Sequence, residues 1–144
     1  MINSKKGDSV MSIVNSWNFT RTVIDWDKFA RATHNQYRVV SSRPYKDKKG
    51  VLPDGVSLTL QIIKDDFDYG VDKNGNPREN NLFQNFDVTV LNNKIDATEG
   101  DMVQLLDFAA EHSYVINFDL LLRFKNAKVV KPNLATQSVV RPHA

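Results

Sequence analysis

Hydrophobic and polar residues alternate most strictly over Val56 to Ile62, where Val56, Leu58, Leu60 and Ile62 are separated by Ser57, Thr59 and Gln61. A period of two sends successive side chains to opposite faces, so this stretch predicts a strand with one buried and one wet face. Phe86, Val88 and Val90 alternate with Asp87 and Thr89 in the same way. Between them, the 17 residues from Asp65 to Asn81 are polar and contain Asn74-Gly75 and Asn76-Pro77, residues that supply positive φ and forbid ladder bonding. A connection longer than a tight hairpin turn is more often functional than idle, which makes it a candidate binding loop.

The same pattern organises the flanks. Tyr37, Val39, Ser41, Arg43 and Tyr45 fall on one face of a strand, with Gln36, Arg38, Val40 and Ser42 on the other. Before it, Asp25 is an N-cap candidate for a short helix bearing Trp26, Phe29, Ala30 and Thr33. After Asn92-Asn93, Thr98 with Asp101 three residues on reads as the start of a second helix. Its apolar stripe is Met102, Leu105, Leu106 and Ala109, at i, i+3, i+4 and i+7. Tyr114 to Phe124 reads as one strand with Tyr114, Ile116, Phe118, Leu120, Leu122 and Phe124 on a common face. Asn126 to Val140 reads as a last strand around a Lys131-Pro132 break.

Residues 1–16 show no sustained period and read as a tail, with residues 17–144 forming the folded domain. Four aliphatic side chains in that tail, Val10, Met11, Ile13 and Val14, predict an oligomerisation arm that docks into an apolar groove of its own or a neighbouring subunit, with a disordered leader as the equal alternative. The resulting order, a short helix then β-β-β-α-β-β, is that of a mostly β, five-stranded OB-fold, a Greek-key barrel whose face around strands 2 and 3 binds single-stranded nucleic acid or oligosaccharide. A five-stranded α+β sandwich is the competing architecture.

Composition narrows the function. The chain has 144 residues and no cysteine, which excludes disulfides and thiolate metal sites. No run approaches the length of a membrane span and the first residues lack a signal-peptide core, so a soluble, cytoplasmic protein without a membrane partner is expected. The net charge of +2 hides an asymmetry: residues 1–50 carry 10 Lys/Arg against 4 Asp/Glu, residues 51–112 carry 4 against 12, and residues 113–144 carry 5 against 1. Basic ends gathered in space would attract a polyanion. Basic ends and an acidic middle would equally pair one subunit with the next.

Binding single-stranded DNA requires cations along the backbone path and flat side chains on which bases stack. Gln36, Tyr37, Arg38, Arg43 and Tyr45, followed by Lys46, Lys48 and Lys49 in the turn, interleave both kinds. Lys64 and Tyr69 follow the next strand, Arg78 lies in the long loop, and Tyr114 and Arg123 bracket the Tyr114 to Phe124 stretch. Phe67 and Phe83 fit either base stacking or core packing, with packing the favoured reading; Trp17 and Trp26 lie before the barrel and are read as packing anchors, which leaves a carbohydrate-binding barrel without its tryptophans.

Enzymatic, metal and cofactor readings find little support. His34, His112 and His143 are isolated from one another. Asp72-x-Asn74-x-Asn76 begins like a calcium loop but has Pro77 where glycine is needed and Phe83 where glutamate is needed. Asp65, Asp66 and Asp68 lack a further partner, and no phosphate-binding glycine loop or nucleophile elbow occurs. The expectation is a non-enzymatic protein with no cofactor.

With this element order and the interleaved residues of Tyr37 to Lys49, the chain resembles the small OB-fold single-stranded DNA-binding proteins of Gram-positive phages and conjugative plasmids, most closely those of plasmid transfer operons. The likeness runs from about Tyr37 to Val130 and rests on strand order, length and an Asn/Lys/Asp-rich style. It implies a cytoplasmic DNA-binding protein without enzymatic activity that coats strands during plasmid transfer or phage and plasmid replication. Affinity supplied mostly by backbone charge predicts little sequence preference, and the acidic middle segment predicts weak discrimination between single- and double-stranded DNA. Members usually end in an acidic tail that recruits partners, whereas this sequence ends Val140-Arg141-Pro142-His143-Ala144, so that route does not carry over. The alternative is a self-associating subunit of a plasmid or phage assembly that binds no nucleic acid.

Overall fold

Strand β2 (Gly55–Ile62) is where the sheet grows from, because its alternation is the cleanest: Leu58, Leu60 and Ile62 are buried and Ser57, Thr59 and Gln61 are half-exposed. The structure, a computed structural model, describes residues 14–131. β2 pairs antiparallel with β1 (Tyr37–Tyr45) on one side and with β3 (Asn85–Val90) on the other. Three more strands follow, β4 (Met102–Phe108), β5 (Tyr114–Ile116) and β6 (Asp119–Val130), giving a six-stranded sheet in the order β3-β2-β1-β4-β6-β5. An additional parallel pairing of β3 with β6, Val88 to Leu122 and Val90 to Phe124, brings the sheet back on itself. The protein is therefore mostly β and barrel-like. Val39, Leu58, Leu60, Val88, Val90, Val103, Leu105, Leu122 and Phe124 fill the interior.

One end of the barrel is plugged by α1 (Trp26–Thr33), whose start is fixed by the Asp25 carboxylate accepting from Lys28 N–H at 3.1 Å. Trp26 packs edge-on to Phe124 at 4.7 Å between ring centroids and stacks with Phe29 and Phe108, while Phe29 meets Phe86. The helix stops at His34 and Asn35, both at positive φ. Asn35 then joins the sheet with its side chain, donating to Leu105 O at 2.9 Å and accepting from Leu105 N–H at 3.0 Å, so a side-chain amide does the work of a strand residue. Trp17 is 72 % exposed and is no packing anchor, unlike Trp26.

Three expected elements differ. Residues 98–109 form no helix. Thr98 N–H and Oγ1 do donate to Asp101 Oδ2, at 2.9 and 3.2 Å, but this closes an isolated turn and β4 begins at once. Val103 and Leu105 are buried on alternate positions of β4, which pairs with β6 from Met102 opposite Val130 to Phe108 opposite Phe124. The helical stripe of Met102, Leu105 and Leu106 overlaps the alternation of Val103 with Leu105 over so short a run, and the partner strand decides. The stretch from Tyr114 to Phe124 is also not one strand. Asn117 and Phe118, at φ of 50° and 67°, fold it into the β5–β6 hairpin, so the sheet has six strands where five were expected. The last strand, read as Asn126 to Val140, is β6 and ends at Val130; Val139 and Val140 lie outside the described residues, as do Val10, Met11 and Ile13 of the expected arm.

β1 contains a bulge. Val39 pairs with Leu60 and Ser41 with Thr59, leaving Val40 without a partner on β2. The Val39 backbone turns instead to the β3–β4 connection, donating to Asp101 O at 2.8 Å and accepting from Gly100 N–H at 2.9 Å. Asp101 is held in turn: it is buried, and Lys131 Nζ reaches its Oδ2 at 2.6 Å. Burial opposes the charge, yet Lys131 and the Thr98 N–H keep the carboxyl below its ordinary range. One extra residue reverses which side chains face in. Tyr37 and Val39 point to the core, while Arg43 and Tyr45 pair with Ser57 and Gly55 on the outside.

Candidate nucleic-acid interface

The outer faces of β1, β2 and β3 line up in three cross-strand rows. Arg38, Gln61 and Asn85 form the first, Ser41, Thr59 and Asp87 the second, and Arg43, Ser57 and Thr89 the third. The parallel pairing of Thr89 with Arg123 extends the third row onto β6. All alternate with buried neighbours, Leu58, Val88, Val90, Leu122 and Phe124, which fixes their outward direction. The result is a surface of hydroxyls and amides around one carboxylate, Asp87, with an arginine at each end of its third row. In the first row Arg38 Nη1 donates to Gln61 Oε1 at 3.3 Å, and in the second Thr59 Oγ1 donates to Asp87 Oδ1 at 2.7 Å.

Arg123 is the most constrained of these cations. Its Nη1 donates to His112 O at 2.9 Å, its backbone N–H donates to Ser113 Oγ at 2.9 Å, and its guanidinium lies 5.9 Å from the centre of the Tyr114 ring. Its Nε is buried and finds no acceptor among the described residues. Tyr114, 48 % exposed, thus adds a flat, half-open ring beside the arginine. At the other end of the row the β1–β2 turn carries Lys46, Lys48 and Lys49, all exposed. Asp47 holds that turn by accepting from Val51 and Leu52 N–H at 2.9 and 3.0 Å. Its carboxyl lies below the ordinary range, chiefly through the Leu52 and Val51 amides, with a smaller contribution from the charge of Arg123. Lys46 approaches Asp54 only at 3.9 Å, both exposed.

Of the residues expected to bind DNA, the structure gathers Arg38, Arg43, Tyr45, Lys46, Lys48, Lys49, Tyr114 and Arg123 around this face. It removes Tyr37. That ring is fully buried against Trp26, Phe29 and Phe86, and its hydroxyl lies 2.6 Å from Thr33 Oγ1. Thr33 gives its only hydrogen to Phe29 O at 2.8 Å, so Tyr37 is the donor. Burial pushes the Tyr37 hydroxyl up to about 12. Gln36 lies to the other side, beside Met102, Gln104 and Lys128.

Lys64, Tyr69 and Arg78 belong to the long connection after β2, which is folded onto α1 and meets the first outer row where Gln61 Nε2 donates to Phe83 O at 3.5 Å. Asp66 N–H donates to Ala32 O at 3.1 Å, His34 Nε2 meets Asp66 Oδ2 at 2.6 Å, and Lys28 sits 5.0 Å from the Phe67 ring centre. Within the connection, Tyr69 donates to Asp65 at 2.7 Å and accepts from Asn81 at 3.0 Å, and Arg78 Nη1 donates to Tyr69 O at 2.9 Å. These polar groups satisfy one another. Burial and the bond to Asp65 hold the Tyr69 hydroxyl above its ordinary range.

Sequence reasoning missed the central members of the face, Ser57, Thr59, Gln61, Asn85, Asp87 and Thr89. Their signal was present as the polar half of the alternation. Among the described residues there is no group of three or more His, Asp or Glu placed to hold a metal ion, and no helix long and apolar enough to cross a membrane. Comparison with protein-family models, curated proteins and solved structures finds no match to this chain.

Proposed function

We propose that this chain is a non-enzymatic, OB-fold single-stranded DNA-binding protein with little sequence preference, acting in the cytoplasm in plasmid transfer or phage and plasmid replication. The observation that carries the reading is the register that sets Arg43 and Arg123 at the two ends of one outer row, with the lysine turn beyond one and Tyr114 beside the other. The pairings β1-β2-β3-β6-β4-β1, with β3 and β6 parallel, support the OB assignment. In that assignment α1 takes the place of the helix expected before β4, and β5 is an added hairpin. An OB barrel binds across its strand 2 and 3 face, between the loops that flank it, and here that face is hydroxyl-rich and rimmed by cations.

Few aromatic rings stand on the face, so phosphate contacts supply most of the affinity and duplex DNA competes. Fluorescence anisotropy of a labelled single strand against salt tests this. Binding should fall steeply as salt rises, and Arg43→Ala or Arg123→Ala should each lower the log–log slope by about one. A flat salt response, or no binding at low salt, overturns the reading.

A second reading, a self-associating assembly subunit, is favoured by one observation. Tyr114, Ile116, Phe118 and Leu120 of the hairpin and Trp17, Phe19 and Val23 before α1 are all exposed. Beside them lies a groove of about 380 Å³ that Val23, Phe29, Phe67, Val115, Phe118 and Leu120 help to line. A second copy is the occupant that the apolar arm Val10 to Val14 suits. Light scattering of the full chain and of one beginning at Trp17 separates the cases: a lower mass for the shorter chain supports the arm, and equal masses discard it.

A further inference from the structure

Charge is not spread evenly over the outer rows. Arg38 heads the first row, Arg43 and Arg123 terminate the third, and the middle row holds a lone carboxylate, Asp87. Asp87 is exposed. Its Oδ1 accepts from Thr59 Oγ1 at 2.7 Å, and among the described residues no Lys, Arg or His pairs with it. Its neighbours on the strand and across it, Asn85, Thr89, Gln61 and Ser57, are all uncharged.

A carboxylate in the middle of a cation-rimmed surface is badly placed to hold phosphate, because like charges a few ångströms apart repel. It fits a strand whose phosphates follow the cationic margin and whose bases turn toward the centre. An ionised carboxylate only accepts hydrogen bonds. Guanine presents N1–H and N2–H side by side on its Watson–Crick edge, matching two carboxylate oxygens. Thymine presents one N–H between two carbonyls, which a carboxylate repels. These edges are open only in a single strand.

We propose that Asp87, steadied by Thr59, is a base-reading position that favours guanine over thymine in single-stranded DNA lying across this face. The inference rests on the nucleic-acid reading above and adds a modest base preference to affinity that is otherwise charge-driven.

The test compares the full chain binding two labelled oligonucleotides of equal length at one salt concentration. One is all thymidine, and the other carries isolated guanines spaced to prevent quadruplex formation. Inosine, which lacks the N2 amine, replaces guanine in a third. Guanine should bind about five- to tenfold tighter than thymine, the lower end of what one bidentate contact provides, with inosine between them. Asp87→Asn, whose amide still accepts from Thr59, should erase the ratio by tightening the thymidine strand. Equal affinities in the wild type, or a ratio that survives in Asp87→Asn, would overturn the base-reading role while leaving DNA binding intact. Failure to bind any of the three at low salt would overturn both.

Discussion

Tyr37 and Tyr45 open and close the same strand, and on an uninterrupted β1 they would share a face with Arg43. They do not. Tyr37 is sealed among Trp26, Phe29 and Phe86, whereas Tyr45 is half-exposed next to the lysine turn. The first half of β1 is core and the second half is surface, and the switch is the unpaired Val40. A bulge lets one strand contribute to the interior of a barrel and to its outer face: it leaves Val40 unpaired on β2, while the Val39 backbone groups bond to Gly100 and Asp101.

Deleting Val40 should leave this division in place, because Val39 opposite Leu60 and Ser41 opposite Thr59 then become consecutive on a regular ladder, and a cooperative urea transition should survive the deletion. Truncating the tyrosines sharpens the contrast. Tyr37→Ala should cost about 3–5 kcal/mol by the cavity it leaves, while Tyr45→Ala should stay within about 0.5 kcal/mol, both read from urea midpoints. If Tyr45 stacks on a base, its alanine variant should weaken oligonucleotide binding by about 1–3 kcal/mol at unchanged stability.

The buried half also responds to pH. The unfolded chain ionises tyrosine near pH 10, whereas the folded state keeps Tyr37 protonated to about 12. The stabilisation from burying the neutral phenol is therefore intact below about pH 10 and is lost as pH rises toward 12. The fall amounts to about 1.4 kcal/mol per pH unit, or about 2–3 kcal/mol in all. Urea unfolding at pH 9.5 and pH 11.5 should show this extra loss in the wild type and not in Tyr37→Phe. An equal loss in both would place the titrating group elsewhere.

The alternations of Val56 to Ile62 and Phe86 to Val90 were legible because each buries one face against a continuous core, and α1 was legible from Asp25 and the spacing of Trp26, Phe29 and Thr33. The region from Thr98 to Phe124 was not. The Thr98–Asp101 pairing is real as a turn, and Met102, Leu105 and Leu106 make a helical stripe where Val103 and Leu105 alternate as in a strand, so local spacing left the choice to β6. The Tyr114 to Phe124 alternation concealed a reversal at Asn117 and Phe118, a two-residue turn without the glycine that usually marks one. For the site, the sequence supplied the arginines, lysines and tyrosines as candidates but not their grouping.

What the amino-acid order determined by itself is which stretches alternate, where the chain turns polar, and that no thiol chemistry is present. Those properties depend on near neighbours. What only the tertiary structure decided is which face each residue joins: Tyr37 inside, Arg43 and Tyr45 outside, and Arg123 brought to the Arg43 row by pairing of β3 with β6. Strand parity is counted along the chain, but a bulge and a ladder partner are settled by residues far away in sequence, and a shift of one position exchanges core for surface.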